Sequence, residues 1–299
     1  MSGPDDFAAH LHARYRPATA HAYARQVARY LTWSGGEDVA RAAGYGDVLA
    51  YLAELRAAGL AGRSLHAALA ALRAYYDYLV AAGVRDDHPC RTLALADRVD
   101  RAIRADALPT PAQVAAWVAG ATADRHEHGR RAAVACQLIG FQAATTAEVA
   151  HVRTGDIDLD AGTVRLSVPG ALTLARTLPL RAGQAATLAR YLAEDRPRYA
   201  AEARARGHPD DGRLVLSRRG RPIRPQHVTR VVNAGRAEAE RLAPRTVRQA
   251  VIAGLLAAGH GVRIVQAFAG HRTAEATAAY RVAAGEALAV AIARGHPRG

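Results

Sequence analysis

Apolar positions recur every three or four residues along most of this chain, which is the spacing of one buried helical face. In "RPATAHAYARQVARYLTW" that spacing groups Tyr23, Val27, Tyr30 and Leu31, with Thr19 placed to cap the helix. "GYGDVLAYLAELRAAG" predicts a second helix, ended by Gly59. "GRSLHAALAALRAYYDYLVAAG" predicts a third, with Leu65, Leu69, Leu72, Tyr76 and Leu79 toward a core and Gly83 as the stop. Periodicity fails in the charged stretch "ADRVDRAIRADALPT", which reads as a basic linker.

The second half resumes at "LPTPAQ", where Thr110 caps, Pro111 takes the first helical position and Gln113 completes a capping box. A helix over about 128–143 follows, and "TTAEV" opens a short one with Thr145 and Glu148 at capping-box spacing. The period then drops to two. "GTVRLSV" and "LARTLPL" alternate as strands around a Pro-Gly turn at 169–170, and "RLVLS" at 213–217 predicts a third strand. Helical spacing returns at 183–206, 225–241, 246–258, 262–268, 274–281 and 285–294. The expected fold is mainly α, with a small antiparallel sheet in its second half. Three parts are expected: a helical domain over 1–95, a basic linker over 96–107 and a larger domain over 108–299.

Composition agrees and adds a charge. Half of the 299 residues are apolar, mostly helix-forming Ala and Leu, and only 5% are aromatic. The formal net charge is +13, and all 40 basic residues are arginine. Arginine's planar fork donates two parallel hydrogen bonds to a phosphate, so a nucleic-acid partner is expected. Cys90 and Cys136 match no metal or redox spacing, which fits a reducing cytoplasm. "MSGPDD" lacks the apolar segment of a signal peptide, and no apolar run approaches the ~20 residues of a membrane span. His126 and His128 in "HEH" do not make a convincing metal pair in a helix start or loop.

The residues that carry chemistry lie near the end. "PRTVRQAVIAGLLAAGHGVRIVQAFAGHRTAEATAAYRV" holds, in order, an Arg after a Pro, a Val-Gln, a Gly-His and a Tyr nine residues past that His. This series resembles the tyrosine recombinase (phage integrase) family, Xer type. "VRTGDIDLDAGTVRL" resembles the family's approach to its small sheet, and "RSLHAALAALRAYYDYLVAAGVRDDHP" its core-binding helices. The resemblance implies an N-terminal helical, SAM-like core-binding domain and a C-terminal α+β catalytic-type domain. It implies site-specific recombination, in which a tyrosine hydroxyl attacks a DNA phosphodiester and holds the 3′ phosphate. By resemblance Tyr280 is the nucleophile, Arg248 the second phosphate-binding arginine and His271 the imidazole donor.

Other positions depart from the family pattern. The first arginine's place falls on Thr145, a degenerate position whose neutral hydroxyl cannot fork a phosphate. The first histidine's place is Arg245. The sheet-turn lysine is missing from "VPGALTLAR"; Arg176 stands near, but arginine holds its proton too tightly to be a good acid. One missing preorganised donor slows such a step by on the order of 10²–10³, and a missing acid by about 10²–10⁴. Two functions stay open: a strand-cleaving recombinase, or a catalytically impaired homologue that binds DNA as an accessory protein. The resemblance implies double-stranded DNA as partner, an oligomer assembled on it, in some settings with another recombinase, no cofactor and no metal. Arg63, Ser64, His66 and Arg73 in the first domain and Arg219, Arg221, Arg224 and His227 in the second are the DNA-contact candidates. Leu288, Val290 and Ile292 of the last helix pack on their own domain or, as the resemblance implies, dock on a neighbouring protomer. The expected location is the cytoplasm, at the nucleoid.

Overall fold

The computed structural model describes residues 4–95, 103, 105–122, 129–281 and 283–285. They form two compact units, Met1–Asp100 and Arg101–Gly299. Most of the expected linker and the expected last helix, with Leu288, Val290 and Ile292, lie outside the described residues, as do His126 and His128.

The first unit is helical throughout: α1 Pro4–Arg14, α2 Pro17–Ser34, α3 Glu37–Ala42, α4 Tyr45–Ala57 and α5 Gly62–Ala81. Helix α2 starts earlier than Thr19 predicts, because Pro17 supplies a preset φ at the first turn and Arg16 takes the cap position. The period of α5 places Leu65, Leu69, Leu72, Tyr76 and Leu79 in the core, packed with Val27, Tyr30, Val48 and Tyr51. A buried hydroxyl is costly unless bonded. Tyr30 and Tyr76 share a 2.8 Å bond, and the Tyr76 hydroxyl also donates to the Ala40 carbonyl.

The second unit begins with α6 Pro111–Thr122 and α7 Gly129–Gln142, followed by the short α8 Thr146–His151. Both predicted capping boxes are present, Thr110 with Gln113 and Thr145 with Glu148. The sheet is β1 Ile157–Asp158, β2 Thr163–Leu166 and β3 Arg176–Pro179, antiparallel in that order, with Val164 opposite Leu178. The third strand is thus β1 and not "RLVLS". Residues 213–217 are apolar because Leu214, Val215 and Leu216 are buried, but they make isolated bridges, Arg153 to Arg213 and Leu216 to Pro222.

Helices α9 Ala182–Arg190 and α10 Arg196–Ala205 are joined by a wider π-type turn over Tyr191–Asp195. Next come α11 Pro225–Val232, α12 Pro244–Ala257, α13 Val262–Ala269 and α14 Ala274–Ala278. Helix α11 stops short of the predicted 241. Asn233 leaves the helix and exchanges hydrogen bonds with the Leu242 backbone, its amide donating to the carbonyl and its side-chain oxygen accepting from the N–H. The core gathers Leu138, Ile139, Val149, Val164, Leu188, Tyr191, Val228 and Val247 around α7. A smaller apolar cluster holds Ala143, Ile252, Ala253, Val265, Ala269, Tyr280 and Ala283. Among the described residues no helix is long and apolar enough to cross a membrane.

Candidate active site

The C-terminal helices bring Arg248, His271 and Tyr280 to one place. Arg248 lies on the first turns of α12, buried, and its guanidinium donates to two backbone carbonyls: Ala143, past the end of α7, and Ala269 at 2.7 Å, at the end of α13. Ala143 has φ of 48°, the left-handed region that costs a β-carbon roughly 1 kcal/mol, and this turn aims its carbonyl at the guanidinium. Helix α13 closes on Gly270, φ 68°, where a β-carbon would stand 2.7 Å from an Arg176 nitrogen and 2.8 Å from the Leu174 carbonyl. That close passage sends His271 back over Tyr280. The two rings stack with centroids 5.8 Å apart and planes 21° from parallel. The Thr277 hydroxyl sits 2.8 Å from His271 Nδ1 and fixes the ring's other edge.

The electrostatics follow from burial among cations. Desolvation, then the charges of Arg248 and Arg176, push the His271 imidazole down to about 4, so the ring is neutral near pH 7. Burial raises the Tyr280 phenol, and Arg248 and then Arg245 pull it back without restoring the ordinary value. Arg245 itself is exposed, one turn before Arg248. Burial lowers Arg248 too, opposed by Glu148, reinforced by Arg176 and opposed again by Tyr280. One cluster of fields thus links these groups.

Glu148 is the buried counter-charge. Arg176 grips it with both fork nitrogens, at 2.5 Å and 3.3 Å, and Thr173 adds a hydroxyl at 2.9 Å. Burial alone would raise the Glu148 carboxyl; the Arg176 hydrogen bonds and charge, the Thr145 amide and Thr173 hold it below the usual range. Arg176 Nε donates to the Phe268 carbonyl at 2.6 Å. Arg176 therefore ties β3, α8 and α13 together. Thr145 caps α8: its hydroxyl accepts from the Glu148 amide at 3.1 Å and lies 3.1 Å from the Glu148 carboxylate. The segment 171–174 is clipped alongside the histidine through a Thr173–His271 bridge, Leu174 N–H to the Gly270 carbonyl, and Arg272 to the Ala171 and Leu172 carbonyls.

The DNA-contact candidates separate. Arg63 and Ser64 are exposed at the start of α5, and His66 is half-buried. Arg73 is exposed on α5, and its guanidinium donates to the Cys90 and Leu93 carbonyls and so anchors the loop after α5. Arg219, Arg221, Arg224 and His227 are exposed around the start of α11, with Arg221 Nε 3.0 Å from His208 Nε2. Sequence reasoning missed Thr277, Ala143 and the Glu148–Arg176 pair. Glu148 carried a signal in its capping-box spacing, which pointed to a helix start, and Arg176 one as the basic residue near the missing lysine; neither gave the pairing.

This geometry has known relatives. Residues 115–286 match the phage integrase family, and residues 5–83 its N-terminal SAM-like domain. The chain belongs to the phage integrase family, the tyrosine recombinases. It is 30% identical over 293 residues to a tyrosine recombinase XerC of Chromohalobacter salexigens, covering 94% of this chain and 91% of that protein. Over 298 residues it is 28% identical to a tyrosine recombinase XerD of Bifidobacterium longum, covering 94% and 92%. The fold matches the Tn1549 transposon integrase in complex with transposon right end DNA, TM-score 0.66 at 16% identity over 99% of both chains. It also matches a lambda integrase dimer bound to a COC′ core site, TM-score 0.66 at 15% identity over 91% of this chain and 94% of that one.

Proposed function

We propose that this chain is a site-specific DNA recombinase that cleaves and rejoins duplex strands through a phosphotyrosine at Tyr280. The observation that carries the reading is the meeting of Tyr280, His271 and Arg248, contributed by three separate segments. The Tyr280 oxygen attacks the phosphorus, its proton leaves, the bond from phosphorus to the 5′ oxygen breaks, and that oxygen takes a proton. A 5′ hydroxyl of another strand then reverses the step on the 3′-phosphotyrosine. In the tautomer in which Thr277 donates to Nδ1, the neutral His271 carries its proton on Nε2 and donates it to a non-bridging oxygen without adding charge. Arg248 supplies the cation, and exposed Arg245, whose charge already acts on the phenol, supplies a second where the family has histidine. Residues 1–95 serve as the core-binding domain and 108–299 as the catalytic domain. The chain works in the cytoplasm on double-stranded DNA, as an oligomer of its own copies or with a second recombinase. A long bound duplex that sediments with isolated monomers would remove the assembly.

A second reading, a binding or accessory protein that cuts nothing, has specific support. The Thr145 hydroxyl is engaged with Glu148, and Arg176 is held by the same carboxylate, so neither supplies the missing arginine or the acid. Tyr280 is only 8% exposed and is packed into an apolar cluster. A nicked suicide duplex, chosen from sequences the protein retains, separates the two. The recombinase yields a covalent DNA adduct that Tyr280→Phe abolishes. The accessory protein yields a salt-sensitive gel shift and no adduct.

A further inference from the structure

A neutral His271 ring carries one proton, and the nitrogen that holds it decides what the ring does. Thr277 Oγ1 lies 2.8 Å from Nδ1. Nε2, on the far edge, makes no hydrogen bond among the described residues and is not closed off from solvent. Gln266 pins the His271 backbone on both sides: its carbonyl accepts the His271 N–H at 3.0 Å, and its side-chain amide donates to the His271 carbonyl at 3.2 Å. The ring's place is therefore set. Its tautomer rests on the direction of one bond, to a hydroxyl that is able to give or to accept.

The surroundings of that hydroxyl choose the direction. Thr277 is 0% exposed, so bulk water does not reach it. Helical threonines elsewhere in the chain send the hydroxyl proton to the carbonyl four residues back, Thr32 to Ala28 at 3.0 Å and Thr187 to Gly183 at 2.9 Å. Thr277 makes no such bond, and among the described residues Nδ1 is the partner its hydroxyl finds. Were Nδ1 the donor, the hydroxyl proton would be buried without an acceptor, which is costly. With the hydroxyl donating, both groups are satisfied.

We infer that Thr277 is a positioning residue that selects the tautomer of His271, giving its hydroxyl proton to Nδ1 and so keeping the imidazole proton on Nε2. The ring is then a donor toward the substrate and no base for the nucleophile. Nδ1 is occupied, Nε2 is protonated, and the lone pairs of an imidazole lie in its plane, away from the stacked Tyr280 ring. The Thr277 carbonyl also accepts the Tyr280 N–H at 3.0 Å, so one residue orients the imidazole and holds the nucleophile's backbone. The tautomer stands on this geometry; its catalytic meaning rests on the recombinase reading.

The tautomer is read without DNA, by long-range proton–nitrogen NMR of the full chain carrying nitrogen-15 histidine, with the His271 signals assigned by their absence in His271→Gln. The expected result is a single Nε2–H pattern in the wild-type chain and in Thr277→Ser. Thr277→Val keeps the shape but has no proton to give, and should show a mixture of the two tautomers. On a nicked duplex Thr277→Val should form adduct on the order of tenfold more slowly at unchanged duplex affinity, with Thr277→Ser restoring the rate. A proton on Nδ1 in the wild-type chain overturns the proposal, as does a Thr277→Val pattern identical to the wild type's. A single Nε2–H pattern lost in Thr277→Val, with no adduct from any chain, upholds the tautomer assignment and removes the recombinase reading instead.

Discussion

Tyr76 and Tyr280 are both buried, one in each unit, and their surroundings differ in kind. Tyr76 sits among large apolar and aromatic side chains and spends its hydroxyl on Tyr30 and the Ala40 carbonyl. Desolvation, then the bond to Tyr30, raise its phenol far above the ordinary value. Tyr280 lies in a smaller cluster of four alanines with Ile252 and Val265, and two arginines draw its phenol back toward ionisation. Tight packing and a satisfied hydroxyl make a structural tyrosine. Nearby cations and a phenol without a protein carbonyl to bond among the described residues mark the other kind. Burial alone does not distinguish them.

The contrast can be broken most strongly at Glu148. Glu148→Gln leaves the Arg176 charge buried and unanswered, at about 3–5 kcal/mol. Urea unfolding should show that loss in the second unit, and the double change Glu148→Leu with Arg176→Met should recover most of it. If the single change is neutral, the counter-charge role assigned to Glu148 is wrong. Thr145→Arg tests what the site lacks. Restoring a cation should raise the adduct yield on a nicked duplex by on the order of 10²-fold, at a cost of about 1 kcal/mol for the lost cap. No gain would place the missing group elsewhere.

Smaller effects sharpen the comparison. Tyr76→Phe strips a partner from Tyr30 and from the Ala40 carbonyl and should cost about 1–3 kcal/mol while leaving adduct formation intact; the same change at Tyr280 should do the reverse. The smallest effect is a pH slope. His271 is held near 4 in the folded chain, against about 6.5 when unfolded. As pH falls below about 6.5 the unfolded chain takes up the proton first. Stability from this residue is therefore full above that pH, declines through the window down to about 4, and falls no further below it. Melting curves from pH 7.5 to 4.5 should show the decline, and His271→Gln should flatten it.

The helices were legible because their apolar faces repeat, as α5 shows, and because Thr110 and Thr145 announce their capping partners three residues on. The order Arg248, His271, Tyr280 was legible through family likeness. The "RLVLS" run misled because burial and laddering are separate properties: its side chains fill the core while its backbone makes scattered bonds. The Glu148–Arg176 pair spans 28 residues and the Arg248–Ala143 bond 105, separations at which no periodicity survives. Arg131 is buried, yet in "GRRAAV" a buried cation and a solvated one look alike.

The clip between residues 171–174 and the Gly270–Arg272 segment decides how the molecule can rearrange. Its bonds fasten His271 to the sheet side, while the Thr277 hydroxyl and the ring stack tie the same imidazole to α14 and Tyr280. Between His271 and Tyr280 the chain runs through the Thr273 cap and the five-residue α14, so the length of that one short helix sets the spacing of imidazole and phenol.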